Sequence, residues 1–302
     1  MANVGFVGLG IMGRPMALNL LRGGHRLWVH ARQPEVMKPL VESGATRCKT
    51  CAAVAEHADV LFVCVSDTPD VEQVTVGATG FIQRARPGSV VVDMSTISPK
   101  VTREVARRLA ERGVDMLDAP VSGGERGAIA GTLSIMVGGK PDVLERVRPL
   151  LNLLGKNIVH VGDHGAGQVA KACNQIVVGQ TIAAVAEGLL LARAAGADPA
   201  RVREALLGGM AASRALEVHG ERMLVRNFAP GFKARLHQKD LRIALEAARE
   251  AGVELPGASL TAQHVDALVE GGAGDLDSAA LAEVLERLAV QTLPAAAGGG
   301  SR

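Results

Sequence analysis

The chain carries two kinds of hydrophobic pattern in succession. Short apolar runs recur first: NVGFVG at 3–8, HRLWVH at 25–30, DVLFVCV at 59–65, SVVVD at 89–93, VDMLD at 114–118, LSIMVG at 133–138 and NIVHVG at 157–162. They are rich in valine and bounded by Gly, Asp, Ser or His, so they predict strands buried on both faces of a sheet. Helical stretches lie between them, such as Met16, Ala17, Leu20 and Leu21, which stop at Gly23-Gly24. After residue 164 only helical periodicity remains, over 167–195, 199–209, 212–226, 236–251, about 257–270 and 277–291. The expected organisation is a dinucleotide-binding sheet domain at 1–164, an all-helical domain at 165–293 and a disordered tail at 294–302, PAAAGGGSR. No internal repeat is visible.

The helix at 167–195 is apolar on most faces, which predicts burial. Near its start it carries Gln168, Lys171, Asn174 and Gln175. Residues three and four apart share a helix face, so these four form one polar cluster around Lys171. A buried lysine is costly unless paired, and burial lowers its pKa toward the range where it can exchange protons near neutrality. Most lysines near helix ends are simply solvated. The segments that precede this one change that expectation.

The first strand runs directly into Gly8-Leu9-Gly10-Ile11-Met12-Gly13, a GxGxxG that opens a helix. Its glycines allow a tight turn, close approach of the backbone to a pyrophosphate, and tight helix-to-strand packing. The free N–H groups of the helix start suit the phosphates. With alternating strands and helices behind it, the motif gives the fold class: α/β, an N-terminal Rossmann-type doubly wound sheet followed by an all-helical second domain. At the end of the second strand, NAD-preferring folds place an acidic residue to bind the ribose 2′-hydroxyl. This chain has Ala31 and then Arg32, which favours the 2′-phosphate of NADP and leaves NAD open. Ser66 and Thr96 sit in loops at strand carboxyl ends, where such sheets bind ligands, although loop hydroxyls often serve only as caps. Ser122, Gly123 and Gly124 follow the strand at 114–118; their backbone N–H groups suit a small carboxylate, and a plain glycine turn is the alternative.

Composition excludes other classes. Apolar residues make up 48% of the 302, enough for a real core. With 33 basic against 31 acidic residues, net charge +2, there is no electrostatic footprint for nucleic acid or membrane. One Trp, five Phe and no Tyr leave little for base stacking. The four cysteines include one CxxC at 48–51, but no further pair at zinc-ligand spacing, so no metal is expected. The start lacks the basic and apolar regions of a secretory signal, and no apolar run reaches membrane-spanning length uninterrupted, so a cytoplasmic protein is expected. The apolar helices look too numerous for one domain's core, which predicts a homodimer or homotetramer.

Four motifs, GLGIMGRPMALNL at 8–20, DAPVSGG at 118–124, GAGQVAKACNQ at 165–175 and HQKDLRIALEAA at 237–248, occur in the order and spacing of the β-hydroxyacid dehydrogenase family. The resemblance covers about residues 3 to 290. It implies an NAD(P)-dependent oxidoreductase acting on a small carboxylate substrate, with Lys171 as the catalytic lysine. By the same resemblance Ser122, Gly123 and Gly124 hold the substrate carboxylate, the GLGIMG loop and Thr96 contact the cofactor, and Lys239 lines the closed cleft beside it. DAPVSGGE, GTLSIMVGG, GKNIVHVG and LEVHGERM are similar to members that reduce tartronate semialdehyde rather than those that oxidise 3-hydroxyisobutyrate. Succinic semialdehyde and glyoxylate remain alternatives, as does a catalytically silent cofactor-binding scaffold. Many relatives carry Asn four residues after the lysine. Here that place is Gln175 with Asn174 just before it, and either amide could touch substrate.

Overall fold

The computed structural model of the chain describes residues 1–292, so the tail at 294–302 lies outside the described residues. The chain divides into two compact units, Met1–Cys173 and Asn174–Arg302. The first holds a nine-stranded sheet: β1 (Asn3–Val7), β2 (Arg26–His30), β3 (Thr46–Arg47), β4 (Val60–Val63), β5 (Val90–Asp93), β6 (Asp115–Asp118), β7 (Val121–Ser122), β8 (Leu133–Gly138) and β9 (Gly155–Gly162). Its helices are α1 (Gly13–Arg22), α2 (Lys38–Glu42), α3 (Cys51–His57), α4 (Thr68–Val76), α5 (Pro99–Ala110), α6 (Gly124–Ala130) and α7 (Pro141–Leu151).

Strand order is β3-β2-β1-β4-β5-β6-β8-β7, with β9 also paired to β8. All pairs from β3 through β6 are parallel. β8 then runs antiparallel to β6 and β7 and parallel to β9. The order reverses at β1, whose neighbours are β2 on one side and β4 on the other. In an open α/β sheet this reversal leaves a crevice at the strand carboxyl ends.

Both faces are covered, which is why the strands read as apolar runs and not as alternation. Val4, Phe6, Phe62, Val90 and Val92 point to one core with Met16, Leu20 and Leu144. Val7, Leu61, Val63 and Val91 point to the other with Val54, Val71, Phe81 and Leu109. Phe6 and Phe62 stack across β1 and β4 at 5.9 Å between ring centres. Several helices carry a start signal in sequence: Thr50, Asp67 and Ser98 cap α3, α4 and α5, and a proline opens α5 and α7. All the predicted runs form strands. β3 and β7 were not foreseen; two residues carry too little pattern, and the stretch at 119–124 expected to be loop includes the short β7.

α8 (Ala166–Ala194) runs through the division between the two compact units, which falls after Cys173. Its first two turns pack on the sheet through residues that only the fold brings together. By length and composition α8 could cross a membrane; 44% of its most apolar window is buried, and so are Gln168, Lys171 and Gln175. The second unit adds α9 (Pro199–Leu207), α10 (Arg214–Leu224), α11 (Ala234–Glu250), α12 (Pro256–Leu268) and α13 (Leu281–Thr292). Ile182 and Leu189 of α8 share its core with Met223, Leu241, Val265, Leu268, Leu281 and Leu285.

One buried carboxylate organises the irregular part of this unit. Asp277 accepts from the amides of Gly231, Phe232 and Ala279 at 3.0 Å each and from His219 Nδ1 at 3.2 Å. Burial alone would raise its pKa; the His219 hydrogen bond and the backbone donors outweigh that and hold it at about 2. Because the folded pKa lies below the unfolded one, the stabilisation is complete above about pH 4 and is lost as pH falls toward 2. Asp277→Asn is expected to cost about 2 kcal/mol at pH 7 in urea unfolding followed by circular dichroism, with the gap to wild type closing between about pH 4 and pH 2.

Candidate active site

The crevice beside β1 begins with a turn that only glycine can make. Gly8 has φ +94°, and a Cβ there would lie 2.1 Å from the Cys64 carbonyl oxygen beyond β4. The backbones after β1 and β4 are therefore in contact. Gly10 is exposed, and a Cβ on it would meet nothing within 4 Å, so the space in front of the turn is open. α1 starts at Gly13 with no side chain capping it, no acidic residue in its first turn, and Pro15 where an N–H would go unused. Leu9 is buried, whereas Met12 is half-buried and Ile11 exposed. Bare backbone, an uncapped helix start and open space together fit a pyrophosphate, so the residues present suit a dinucleotide.

Arg32, just past β2, is 81% exposed, with Nη1 3.4 Å from Asp70 Oδ1 on α4. The end of β2 thus has no acidic residue of its own, but a carboxylate from another element stands beside the arginine, which the sequence did not reveal. Ser66 is exposed at the end of β4, and Thr96 is half-buried in the loop after β5. Their two loops are tied together. The amide of Val65 donates to Ser95 Oγ at 2.9 Å, that of Ser95 to Asp93 Oδ1 at 2.9 Å, and that of Ser98 to Thr68 Oγ1 at 3.2 Å.

Ser122 ends β7 opposite Ser134 of β8. Gly123 and Gly124 follow with φ +136° and +62°, both exposed, and lead into α6. The close packing of the Leu133 side chain under Gly123, 3.1 Å from where a Cβ would stand, keeps this corner tight.

Lys171 is 8% exposed, on the second turn of α8. What places it there is Asp118, the last residue of β6 and fully buried. Asp118 Oδ1 accepts from the Gly165 amide at 2.8 Å, and Oδ2 accepts from the Gln168 amide at 3.0 Å. These satisfy N–H groups at the helix start, where a negative charge is also favoured by the helix dipole. Burial pushes the Asp118 carboxyl above its ordinary range, against the pull of these two amides. The helix starts flush on the sheet: a Cβ at Gly167 would lie 2.5 Å from both the Asp118 and Met136 carbonyl oxygens. Sequence reading singled out DAPVSGG for its serine and glycines and passed over its aspartate. A lone acid closing an apolar strand was the available signal.

In the helical unit Gln175 is buried and donates from Nε2 to Asp240 Oδ2 at 2.6 Å, and Lys239 Nζ lies 3.0 Å from Asp240 Oδ1. Asp240, 3% exposed, was also missed. Asn174 is half-buried, three residues after Lys171 on the same helix. The Gln175 amide nitrogen is engaged by a carboxylate within its own unit. Among the described residues no group of three or more His, Cys, Asp or Glu could hold a metal. Cys48 and Cys51 are buried free thiols, and burial pushes Cys51 up to about 11, which keeps it protonated and unreactive.

A doubly wound sheet with a glycine-lined crevice, and a buried lysine on a helix seated at its strand ends, define a nicotinamide-dependent oxidoreductase. Residues 3–162 match the family described as the NAD binding domain of 6-phosphogluconate dehydrogenase, and residues 165–285 the one described as NAD-binding of NADP-dependent 3-hydroxyisobutyrate dehydrogenase. The chain is 52% identical over 286 residues to 2-hydroxy-3-oxopropionate reductase of Escherichia coli, covering 95% of this chain and 98% of that protein. It is 38% identical to 2-(hydroxymethyl)glutarate dehydrogenase of Eubacterium barkeri, over 94% of this chain and 95% of the other. The solved structure of Mycobacterium tuberculosis 3-hydroxyisobutyrate dehydrogenase with L-serine superposes with a TM-score of 0.87 at 32% identity, covering 94% of this chain and 99% of that one. Psf3 in complex with NADP+ and 2-OPP does so with 0.85 at 27%, covering 93% and 99%. The chain belongs to the β-hydroxyacid dehydrogenase family of NAD(P)-dependent oxidoreductases.

The packing at the start of α8 is testable. Gly167→Ala is expected to cost about 1–3 kcal/mol, because backbone oxygens on both sides leave the new methyl nowhere to go. A thermal melt would show it as a lower Tm, with a loss of turnover beyond the loss of folded protein.

Proposed function

We propose that this protein reduces tartronate semialdehyde to D-glycerate with NADPH, using Lys171 as general acid and, in the reverse direction, as general base. The observation that carries this reading is Lys171 itself, buried on a helix whose first turn is locked to the strand ends of a dinucleotide-binding sheet. The 52% identity to the Escherichia coli reductase over 95% of the chain supports the choice of substrate.

The nicotinamide supplies hydride to the aldehyde carbon. As that carbon is reduced, negative charge builds on its oxygen. The Lys171 ammonium stabilises this charge and then gives its proton to the oxygen, leaving a hydroxyl and a neutral amine. In oxidation the neutral amine takes the hydroxyl proton. Ser122 and the Gly123 and Gly124 amides hold the substrate carboxylate, which fixes the carbon presented for reduction. Asn174 and Gln175 are the two candidates for a substrate-facing amide; the Gln175 Nε2 also donates to Asp240. Gly8, Gly10 and Gly13, with Leu9, Ile11 and Met12 between them, hold the pyrophosphate; Ser66, Thr96 and Lys239 complete the cofactor contacts. Arg32 reads the 2′-phosphate, exchanging its exposed pair with Asp70 for a charge-assisted one.

A pocket of this kind separates substrates that differ by one methylene by only about 1–3 kcal/mol, so related short oxo-acids are slower substrates of the same site. We also place the protein in the cytoplasm as a homodimer or homotetramer. Exposed Val177 and Leu191 on α8 and Leu260 on α12 supply apolar surface for association.

Steady-state NADPH and NADH oxidation with tartronate semialdehyde, succinic semialdehyde and glyoxylate tests the substrate. The highest kcat/KM is expected for tartronate semialdehyde with NADPH. A clear preference for another aldehyde would move the substrate and keep the chemistry. Absence of turnover on all three, with cofactor bound, would favour the silent scaffold. Lys171→Ala is expected to lower kcat by about 10²–10⁴-fold while NADPH affinity stays within a few-fold. Arg32→Glu should weaken NADPH by about tenfold or more and NADH far less; equal effects on the two would remove Arg32 from the 2′-phosphate.

A further inference from the structure

Gln168 stands one turn before Lys171 on α8, on the same helix face, and is 1% exposed. Its side chain enters the loop after β5 and makes two hydrogen bonds there. Oε1 accepts from the Ile97 amide at 3.1 Å, and Nε2 donates to the Ser95 carbonyl at 2.9 Å. The two partners flank Thr96. Their chemistry also fixes the amide's orientation, because a backbone N–H can only donate and a carbonyl can only accept. The backbone amide of the same residue is held by Asp118 Oδ2. Gln168 is thus clamped to the end of β6 through its backbone and to the end of β5 through its side chain.

The loop it enters is itself rigid. Ser95 is anchored at its amide by Asp93 and at its hydroxyl by the Val65 amide, and the Ser98 amide donates to Thr68. A helix pinned to such a loop cannot slide or rotate without breaking buried hydrogen bonds. We infer that Gln168 is a positioning residue for the reaction: it sets the register between the helix that carries Lys171 and the loop that carries Thr96, and Asp118 sets the height of that helix on the sheet. This rests on the reading of Lys171 as the general acid. Neither Gln168 nor Asp118 needs to touch substrate or cofactor for it.

The side chain required is narrowly specified. Asparagine is one methylene too short to span both partners. Glutamate would set an oxygen against the Ser95 carbonyl. Methionine fills the same length and offers neither bond. General acids work only within hydrogen-bond reach, and a displacement of about 1 Å can cost about 10²-fold in rate.

The test is a double-mutant cycle. Gln168→Met is made in the wild-type and in the Lys171→Ala protein, and NADPH oxidation with tartronate semialdehyde is followed under single-turnover conditions. A thermal melt of each variant corrects for folded fraction. In the wild-type background the single-turnover rate is expected to fall by about 10–100-fold, with the Kd for NADPH within about threefold. In the Lys171→Ala background the further loss should be under about threefold, because a residue acting through the lysine has nothing left to position. An equal loss in both backgrounds would overturn the inference and make Gln168 a support for the cofactor loop alone; so would full activity of Gln168→Met. If Gln168→Met does not fold, Asp118→Asn, which turns one acceptor oxygen of the helix start into a donor, is put through the same cycle with the same expectation. High turnover by Lys171→Ala alone would instead sink the general-acid reading, and that arm reports on it independently.

Discussion

The start of α8, the helix that carries Lys171, rests on one buried carboxylate. α8 begins flush on the sheet, with two glycines' worth of missing side chain at Gly138 and Gly167 to let it approach. A helix that starts inside a protein leaves N–H groups away from water, and each unpaired one is costly. Asp118 takes two of them, and the helix dipole favours its charge in return. Lys171, on the second turn, is buried along with that helix start.

The rest of the first unit prepares the ground for this contact. Parallel strands covered on both faces converge at the reversal beside β1, where Gly8 brings two backbones together and leaves open space in front of an uncapped helix. The loops after β4 and β5 are cross-tied by the side chains of Ser95 and Thr68, and Asp93 holds the Ser95 amide. They are rigid enough to give the helix start a fixed reference. Precision of position comes from several hydrogen bonds, some of them to carboxylates, made where water cannot compete.

The helical unit uses the same device for different ends. Asp277 gathers three backbone amides and His219 where the chain between helices has no regular pattern to satisfy them. Asp240 holds Gln175 and Lys239 together. Each of these acids is nearly inaccessible, and each is kept by donors that only the folded chain supplies.

Much of this was legible in advance. Apolar runs, GxGxxG and the change of period after residue 164 determined a doubly wound sheet followed by helices, and the polar cluster at the head of an apolar helix marked Lys171. Those are local patterns, carried by residues a few places apart. Asp118 lies 47 residues from Gly165, Gln168 lies 71 from Ile97 and Gln175 lies 65 from Asp240, and their pairings leave no periodic trace. The β-strands of two residues and the carboxylate beside Arg32 were likewise decided by tertiary structure. Sequence periodicity records which face of an element is apolar. Which buried polar groups will satisfy one another depends on where the elements dock, and that is settled only when they pack.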